Sequence, residues 1–388
     1  MANKNLSKAK NAKNDEFYTQ YHDIEIEINA YIEYNPNVFK DKTILLPCDD
    51  PEWSNFTKYF AQNFERFGLK KLISTSFAPE SKNNASNYQP TLFETNHPKF
   101  DETKTITNGK IFTLSHDKTG DGKIDVEDLD WEYLKGSGDF KSNEIKKLRD
   151  EADIIITNPP FSLFRDFLAW VVEADKSFVF VGNKNCVTYK EVFPLIKENK
   201  LWSGRTEWSG GMWFETKNLD DVDKVIDGIN LKNVSSMWIT NIDHGRRHQP
   251  IPLMTMADNL RFNKKLEGKE SYDRYDNYDA IEVPFTNAIP SDYDGVMGVP
   301  ISFLDKYSPE QFKIVGLTSG RDEFECTPSK RYINAKQHNP DGTIVNGSKA
   351  NTRATIKYEE KPDGRYYTAD NSDGKLLIVY ARILIKHI

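Results

Sequence analysis

The stretch Asp153–Phe167, DIIITNPPFSLFRDF, constrains the fold more than any other part of the chain. From Ile154 to Thr157 the residues are apolar or β-branched without alternation, the pattern of a strand covered on both faces in a parallel sheet. Asn158-Pro159-Pro160-Phe161 ends it. Two consecutive prolines remove two backbone donors and fix two φ angles, so a rigid turn must follow the strand. An amphipathic helix comes next. Strand, turn and helix in this order form one unit of an α/β sheet, and the unit recurs. Lys42–Leu46 reads as a strand ending in Pro47-Cys48-Asp49-Asp50-Pro51, with Ser54 as the N-cap of a helix beyond. Leu69–Phe77 and Ser177–Gly182 read as further strands. The expected fold class is therefore α/β, with parallel strands.

The rhythm breaks twice. Between about residues 82 and 131 the chain is rich in Asn, Thr, Asp and Gly, and reads as strands and loops inserted into the α/β core. Within it, DKTGDGKIDVED (Asp117–Asp128) resembles a calcium loop, with Gly122 sixth and Asp128 twelfth. Thr119 replaces an acidic ligand, however, and GKIFTLSH before it reads as a strand rather than an entering helix. A polar hairpin loop is expected, and no metal is assigned. From about Leu201 onward, short strands and long loops replace the α/β pattern. Three regions are expected: an N-terminal arm over 1–14, an α/β domain over 15–200 and an α+β region over 201–388. At 388 residues there is enough chain for two domains of roughly 150 residues each. The arm carries Lys4, Lys8, Lys10 and Lys13, and reads either as a solvated tail or as a basic segment that orders on phosphates.

Bulk charge announces no nucleic-acid partner. The net charge is −7, so such a partner needs a local basic face on an acidic body. NIDHGRRHQP (Asn241–Pro250) supplies one candidate through Arg246 and Arg247. Tyr272, Tyr275 and Tyr278 recur at three-residue spacing, fit either for stacking on bases or for a core. The three cysteines, Cys48, Cys186 and Cys326, form no metal or disulfide pattern, and a reducing cytoplasm is the plain expectation. Cys48 and Cys186 are expected to be structural thiols. No apolar run approaches the roughly 18 residues needed to span a bilayer, and the charged N-terminus is not a secretory signal. KLLIVYARILIKHI at the C-terminus reads as a strand or hairpin closing a sheet.

The turn after Thr157 suits one kind of chemistry. An exocyclic amine on a nucleobase is a poor nucleophile because its lone pair is delocalised into the ring. A side-chain carbonyl and a backbone carbonyl that each accept one N–H leave electron density on nitrogen and aim it. Asn158 and Pro159 can supply that pair, the prolines hold it rigid, and Phe161 offers a ring for a base to stack on. A base reaches such a site only when flipped out of a duplex.

These residues resemble a known family. DIIITNPPF looks like the catalytic motif of amino-group DNA methyltransferases, and the other segments follow the gamma-type order of adenine enzymes. DEFYTQ (Asp15–Gln20) resembles their N-terminal cofactor motif, LPCDDPEWSNF (Leu46–Phe56) their first-strand motif, and GSGDF (Gly136–Phe140) their adenine-side cofactor motif. Together with VTYKEVFPLI and DYDGVMGVPISFLDKY, these segments make the chain similar throughout to the EcoRI-type adenine-specific DNA methyltransferases.

The resemblance implies a Rossmann-like S-adenosylmethionine-dependent methyltransferase sheet with an inserted segment and a C-terminal target-recognition region. It implies methylation of adenine N6 in double-stranded DNA, with a cognate restriction endonuclease acting separately. Asn158, Pro159, Pro160 and Phe161 would be catalytic. Phe17, Tyr18 and Thr19 would touch the methionine end of the cofactor, Pro47, Asp49 and Asp50 its ammonium side, and Asp139 and Phe140 its adenine. The clustered charge of DHGRRHQP, rather than the resemblance, places Arg246 and Arg247 near the DNA as an expectation. The usual glycine-rich turn after the first strand is replaced by Asp50-Pro51-Glu52. LISTSF ends without the expected ribose-binding acid, for which Glu80 is the substitute in reach. Two other readings stay open: the same motif acting on RNA or a protein amide, and an inactive DNA-binding module.

Overall fold

The computed structural model describes residues 18–48, 54–78, 92–95, 97–216, 219–318 and 326–388. By internal contact the chain forms two compact units. The first joins the residues up to Cys186 with Trp202–Gly245, and the second joins Val187–Leu201 with Arg246–Ile388.

The first unit holds twelve described strands: β1 (Tyr18–Thr19), β2 (Thr43–Leu46), β3 (Lys71–Thr75), β4 (Lys110–Leu114), β5 (Asp130–Tyr133), β6 (Ile154–Thr157), β7 (Ser177–Asn183), β8 (Trp202–Ser203), β9 (Met212–Glu215), β10 (Lys224–Ile226), β11 (Ile229–Val234) and β12 (Ser236–Thr240). Eight of them make one mixed sheet in the order β5-β4-β3-β2-β6-β7-β12-β8. β3, β2, β6 and β7 are mutually parallel, and β4, β5 and β12 run antiparallel to their neighbours. The chain builds outward from β2 to β3 and then returns to the other side of β2 as β6, so the order switches between β2 and β6.

Helices cover both faces of the parallel strands, which is why β2 and β6 read as unbroken apolar runs and are buried at every residue. On one face Ile44, Leu46, Ile154, Ile156, Val179 and Val181 share a cluster with α1 (Tyr21–Tyr34) and α2 (Asn55–Gln62). Ser54 caps α2 as expected, its Oγ accepting from the Phe56 N–H at 3.1 Å. A third helix, α3 (Asn143–Glu151), precedes β6 and is capped by Ser142. α4 (Phe164–Glu173) follows the Pro-Pro turn and buries Phe164, Phe167, Leu168, Trp170 and Val171. Its Phe167 meets Phe180, which faces away from the first cluster, at 5.0 Å between ring centroids.

The inserted segment joins this sheet: β4 and β5 extend its edge beyond β3. The loop resembling a calcium site is closed by its own backbone. Asp128 accepts from the N–H groups of Thr119, Asp125 and Lys118 at 2.8–3.0 Å, and these hold its carboxyl well below the usual carboxylate range. Among the described residues no cluster of His, Cys, Asp and Glu is arranged for a metal ion.

The boundary expected at residue 200 moves. β12 zips onto β7 over five pairs, from Ser236↔Asn183 to Thr240↔Val179, so Trp202–Gly245 packs within the first unit. Sequence patterning alone could not show this, because the two strands are some fifty residues apart and only pairing identifies them as neighbours.

The second unit carries β13 (Ile281–Glu282), β14 (Met297–Val299), β15 (Phe312–Leu317), β16 (Lys336–His338), β17 (Ile344–Asn346), β18 (Ala354–Tyr358), β19 (Tyr366–Thr368), β20 (Leu376–Tyr380) and β21 (Ile383–His387). They form two sheets, β13-β14-β21-β15 and β17-β16-β19-β20-β18. The C-terminal stretch is therefore not a hairpin; β20 and β21 belong to different sheets. Tyr275 and Tyr278 fill the core with Ala354, Ile356 and Leu384. Tyr272 is also buried and donates to the Ala288 carbonyl at 2.7 Å. Stacking of this tyrosine ladder on DNA is excluded by that burial. Among the described residues no helix is long and apolar enough to cross a membrane.

Candidate active site

The carboxyl ends of β2, β3 and β6 lie side by side at the point where the strand order switches, the place where open α/β sheets receive ligands. Pro47 leaves β2 there, and its carbonyl accepts from Thr75 Oγ1 of β3 at 3.2 Å. Asn158, Pro159, Pro160 and Phe161 leave β6. Pro159 is buried and the other three are half-buried. The Pro160 carbonyl accepts from the Leu163 N–H at 2.9 Å, which winds Phe161–Leu163 into one short turn at the head of α4. The aromatic ring of the motif is thus set by a turn and a helix start rather than by a free loop.

The N-terminal motif reaches the same place through a strand that sequence reading missed. β1 pairs antiparallel with β9, placing Thr19 opposite Phe214. Phe214 in turn meets Phe161 edge to face, with centroids 6.5 Å apart and rings inclined at 82°. Phe214 is fully buried, so it is a fixed pillar between the two motifs. No local signal singled it out: Met212-Trp213-Phe214 is apolar without alternation, and only the structure shows that the strand buries one face, Met212 and Phe214. Asn55 was also missed: its Nδ2 donates to the Thr19 carbonyl at 2.9 Å and ties β1 to the head of α2. Gln20 Nε2 donates to the Trp213 carbonyl at 2.8 Å and completes the clamp.

Thr19 is 4% exposed, and its hydroxyl has no hydrogen-bond partner among the described residues. A buried hydroxyl left unpaired is costly, so an orphan at the mouth of a ligand site marks a place for a ligand's polar atom. Tyr18 beside it is half-buried.

The third motif is pinned to the end of β3. The Ala78 N–H donates to the Ser137 carbonyl at 2.7 Å, and the Gly109 N–H donates to the Gly136 carbonyl at 2.9 Å. Gly138 has φ +83°, and a Cβ there would lie 2.1 Å from the Ser76 carbonyl oxygen. Only glycine allows both the conformation and the approach. Asp139 follows it, half-buried. Its Oδ1 accepts from the Lys141 N–H at 2.9 Å, and its other oxygen has no hydrogen bond among the described residues. Phe140, expected against the cofactor's adenine, is instead 5% exposed and packs on Phe167 and Trp170 at 5.2 and 5.7 Å. Its packing anchors Asp139 to α4. Cys186 is buried, and burial pushes its thiol up, which suits a structural thiol. Phe17, Asp49, Asp50 and Glu80 lie outside the described residues.

Arg246 and Arg247 belong to the second unit, and the structure turns them inward. Arg246 pairs with Asp305 at 3.0 Å, and both side chains are largely covered. Arg247 is 8% exposed and donates to Asn199. The expected basic turn therefore does not display the Arg247 guanidinium, because Asn199, distant in sequence, lies beside it.

The chain matches the family model described as adenine-specific methyltransferase EcoRI over residues 5–388. It is 42% identical to the type II methyltransferase M.EcoRI of Escherichia coli over 328 residues, covering 83% of this chain and 91% of that protein. It is 32% identical to the type II methyltransferase M.MpnI of Mycoplasma pneumoniae over 366 residues, 92% of this chain and 98% of that protein. A third relative, the type II methyltransferase M.MgeORF184P of Mycoplasma genitalium, is 31% identical over 363 residues, 92% of this chain and 99% of its own length. No solved structure gives a significant match. With three motifs converging on one sheet edge and a match that runs through both units, the chain belongs to the EcoRI-type family of adenine-specific DNA methyltransferases.

Proposed function

We propose that this methyltransferase moves a methyl group from S-adenosylmethionine to N6 of an adenine flipped out of duplex DNA, as the modification half of a restriction–modification pair whose nuclease is a separate protein. The first unit takes the role of a Rossmann-like cofactor and catalytic domain, and the second the role of target recognition. The observation that carries the reading is the junction at Phe214, where the β1 motif and the Asn158–Phe161 turn meet.

The residues fit the cofactor. The Thr19 hydroxyl supplies an unpaired buried group for the methionine end, together with Tyr18 and, by the family resemblance, Phe17, Asp49 and Asp50. Pro47 shapes the floor at the end of β2. Asp139 offers an acceptor for the adenine amine, with Phe140 holding its loop from behind. When bound, S-adenosylmethionine supplies an electrophilic methyl group and needs no covalent nucleophile from the protein.

The acceptor side belongs to the Pro-Pro turn. Asn158 Oδ1 and the Pro159 carbonyl each accept one N–H of the target amine, which keeps its lone pair on nitrogen and directs it at the methyl donor. Both acceptors are fixed before the base arrives, so little reorganisation is required as positive charge develops on nitrogen. Phe161 stacks on the extruded base, which offsets part of the unstacking cost.

The test measures transfer of radiolabelled methyl groups to plasmid DNA, RNA and a protein acceptor in parallel. DNA should be labelled, at adenine N6. Asn158→Ala should bind cofactor and DNA yet slow single-turnover transfer by about 10²–10³-fold, the usual effect of losing one preorganised electrostatic contact. Labelling of RNA or protein in preference to DNA, or a near-normal rate in Asn158→Ala, would overturn the proposal.

A further inference from the structure

The second unit contains a group of cations that its own fold does not neutralise. Lys349 lies in the short turn Ser348–Asn351, Arg353 just before β18, and Arg365 just before β19. Lys349 and Arg365 are exposed and Arg353 is half-buried. Among the described residues none of the three forms an ion pair. Neighbouring lysines do find partners: Lys330 and Lys357 both reach Asp276, and Lys375 reaches Glu359. On a chain of net charge −7, three unpaired cations in one place are not a by-product of composition.

The chain segments that carry them are also held in position. The Arg353 N–H donates to the Lys349 carbonyl at 3.0 Å, and the Arg353 carbonyl accepts from Asn277 Nδ2 at 2.8 Å and Thr355 Oγ1 at 3.1 Å. Arg365 Nε donates to Asn339 Oδ1 at 3.2 Å, and that oxygen also accepts from Gln337 Nε2 at 2.8 Å. Gln337 is locked in turn by the buried Tyr367 hydroxyl at 2.7 Å. The three charges repel one another: partial desolvation, then the guanidiniums of Arg353 and Arg365, pulls the exposed Lys349 ammonium below the ordinary lysine range. A fold keeps such a cluster at a cost to its own stability. An anionic partner removes that cost.

We infer that Lys349, Arg353 and Arg365 form a phosphate clamp on the second unit that grips the backbone of duplex DNA and takes no part in methyl transfer. The inference rests on DNA being the substrate. A carboxylate-bearing protein partner would also complement positive charge. A trio carried on anchored backbone, two of its members with guanidinium forks, on an enzyme whose substrate is a dense line of phosphates, favours the polyanion. Such contacts position the protein without reading sequence, so they are measurable without knowing the recognised site.

The experiment follows binding of the full-length protein to a 30-base-pair duplex of mixed sequence by fluorescence anisotropy across a salt series. Each neutralised phosphate adds about 0.9 to the slope of log K against log salt. Lys349→Gln, Arg353→Gln and Arg365→Gln combined should lower that slope by about two to three units. They should raise KM for plasmid DNA while leaving kcat unchanged. The charge-keeping set Lys349→Arg, Arg353→Lys and Arg365→Lys should retain the slope. If the triple variant fails to fold, the exposed Arg365→Gln alone decides, with an expected drop of about one unit. An unchanged slope in the folded neutral variant overturns the inference, as does equal loss in the charge-keeping set or a larger effect on duplex RNA than on DNA. If the wild-type protein neither binds nor methylates duplex DNA, the DNA reading itself falls and takes the clamp with it.

Discussion

Phe161 shows how one residue can serve packing and chemistry at once. Its ring is half-buried, with an edge contact to Phe214 and a place against the core cluster that Phe214 shares. That contact leaves the ring neither fully exposed nor lost in the core, and it fixes the orientation in which a base would find it. Stacking on a base is worth about 1–3 kcal/mol. Phe161→Ala should therefore keep measurable methyl transfer but lose the fluorescence rise of a 2-aminopurine placed at the target adenine. Phe161→Trp should preserve that signal better than Phe161→Leu, since the flat π-face is what matters. Normal flipping and transfer in a folded Phe161→Ala would make the residue a core aromatic only.

At the scale of elements, the site depends on two attachments that no local pattern announces. One is β1 lying along β9, which carries the N-terminal motif to Phe214. The other is the Gly136–Asp139 loop clamped to the end of β3. The loop contains its own probe. Gly138→Ala places a side chain in a left-handed conformation and against the Ser76 carbonyl. Strain of this kind costs about 1–3 kcal/mol, and here the loop can relieve it only by moving. Asp139→Ala removes the acceptor without moving the loop. Both variants should raise the cofactor dissociation constant measured by calorimetry, and Gly138→Ala alone should also lower the melting temperature. Wild-type cofactor affinity in both would remove this loop from the site.

At the scale of the whole molecule, the two basic groups of the second unit behave differently. Arg246 and Arg247 have found partners in Asp305 and Asn199, whereas Lys349, Arg353 and Arg365 pair with no carboxylate among the described residues. Removing one member of a largely buried ion pair costs about 3–5 kcal/mol, because the other charge stays behind. Arg246→Ala with Arg247→Ala should thus lower the melting temperature by several degrees and leave the salt slope of DNA binding in place. A drop in that slope of about two units without a stability change would restore the DNA-contact role of the pair. The sequence by itself determined the rigid Asn158-Pro159-Pro160-Phe161 turn, the buried parallel strands around it, the helix cap at Ser54 and the order of the motifs. All of these follow from φ restriction, missing donors and unbroken apolar runs, which act over a few residues. It did not determine that β12 would close the sheet against β7, that β9 would link two motifs, that Tyr272, Tyr275 and Tyr278 would be core, or that Arg247 would turn inward. Those depend on which distant segment supplies the opposite face, strand edge or amide, and only tertiary packing brings such partners within reach.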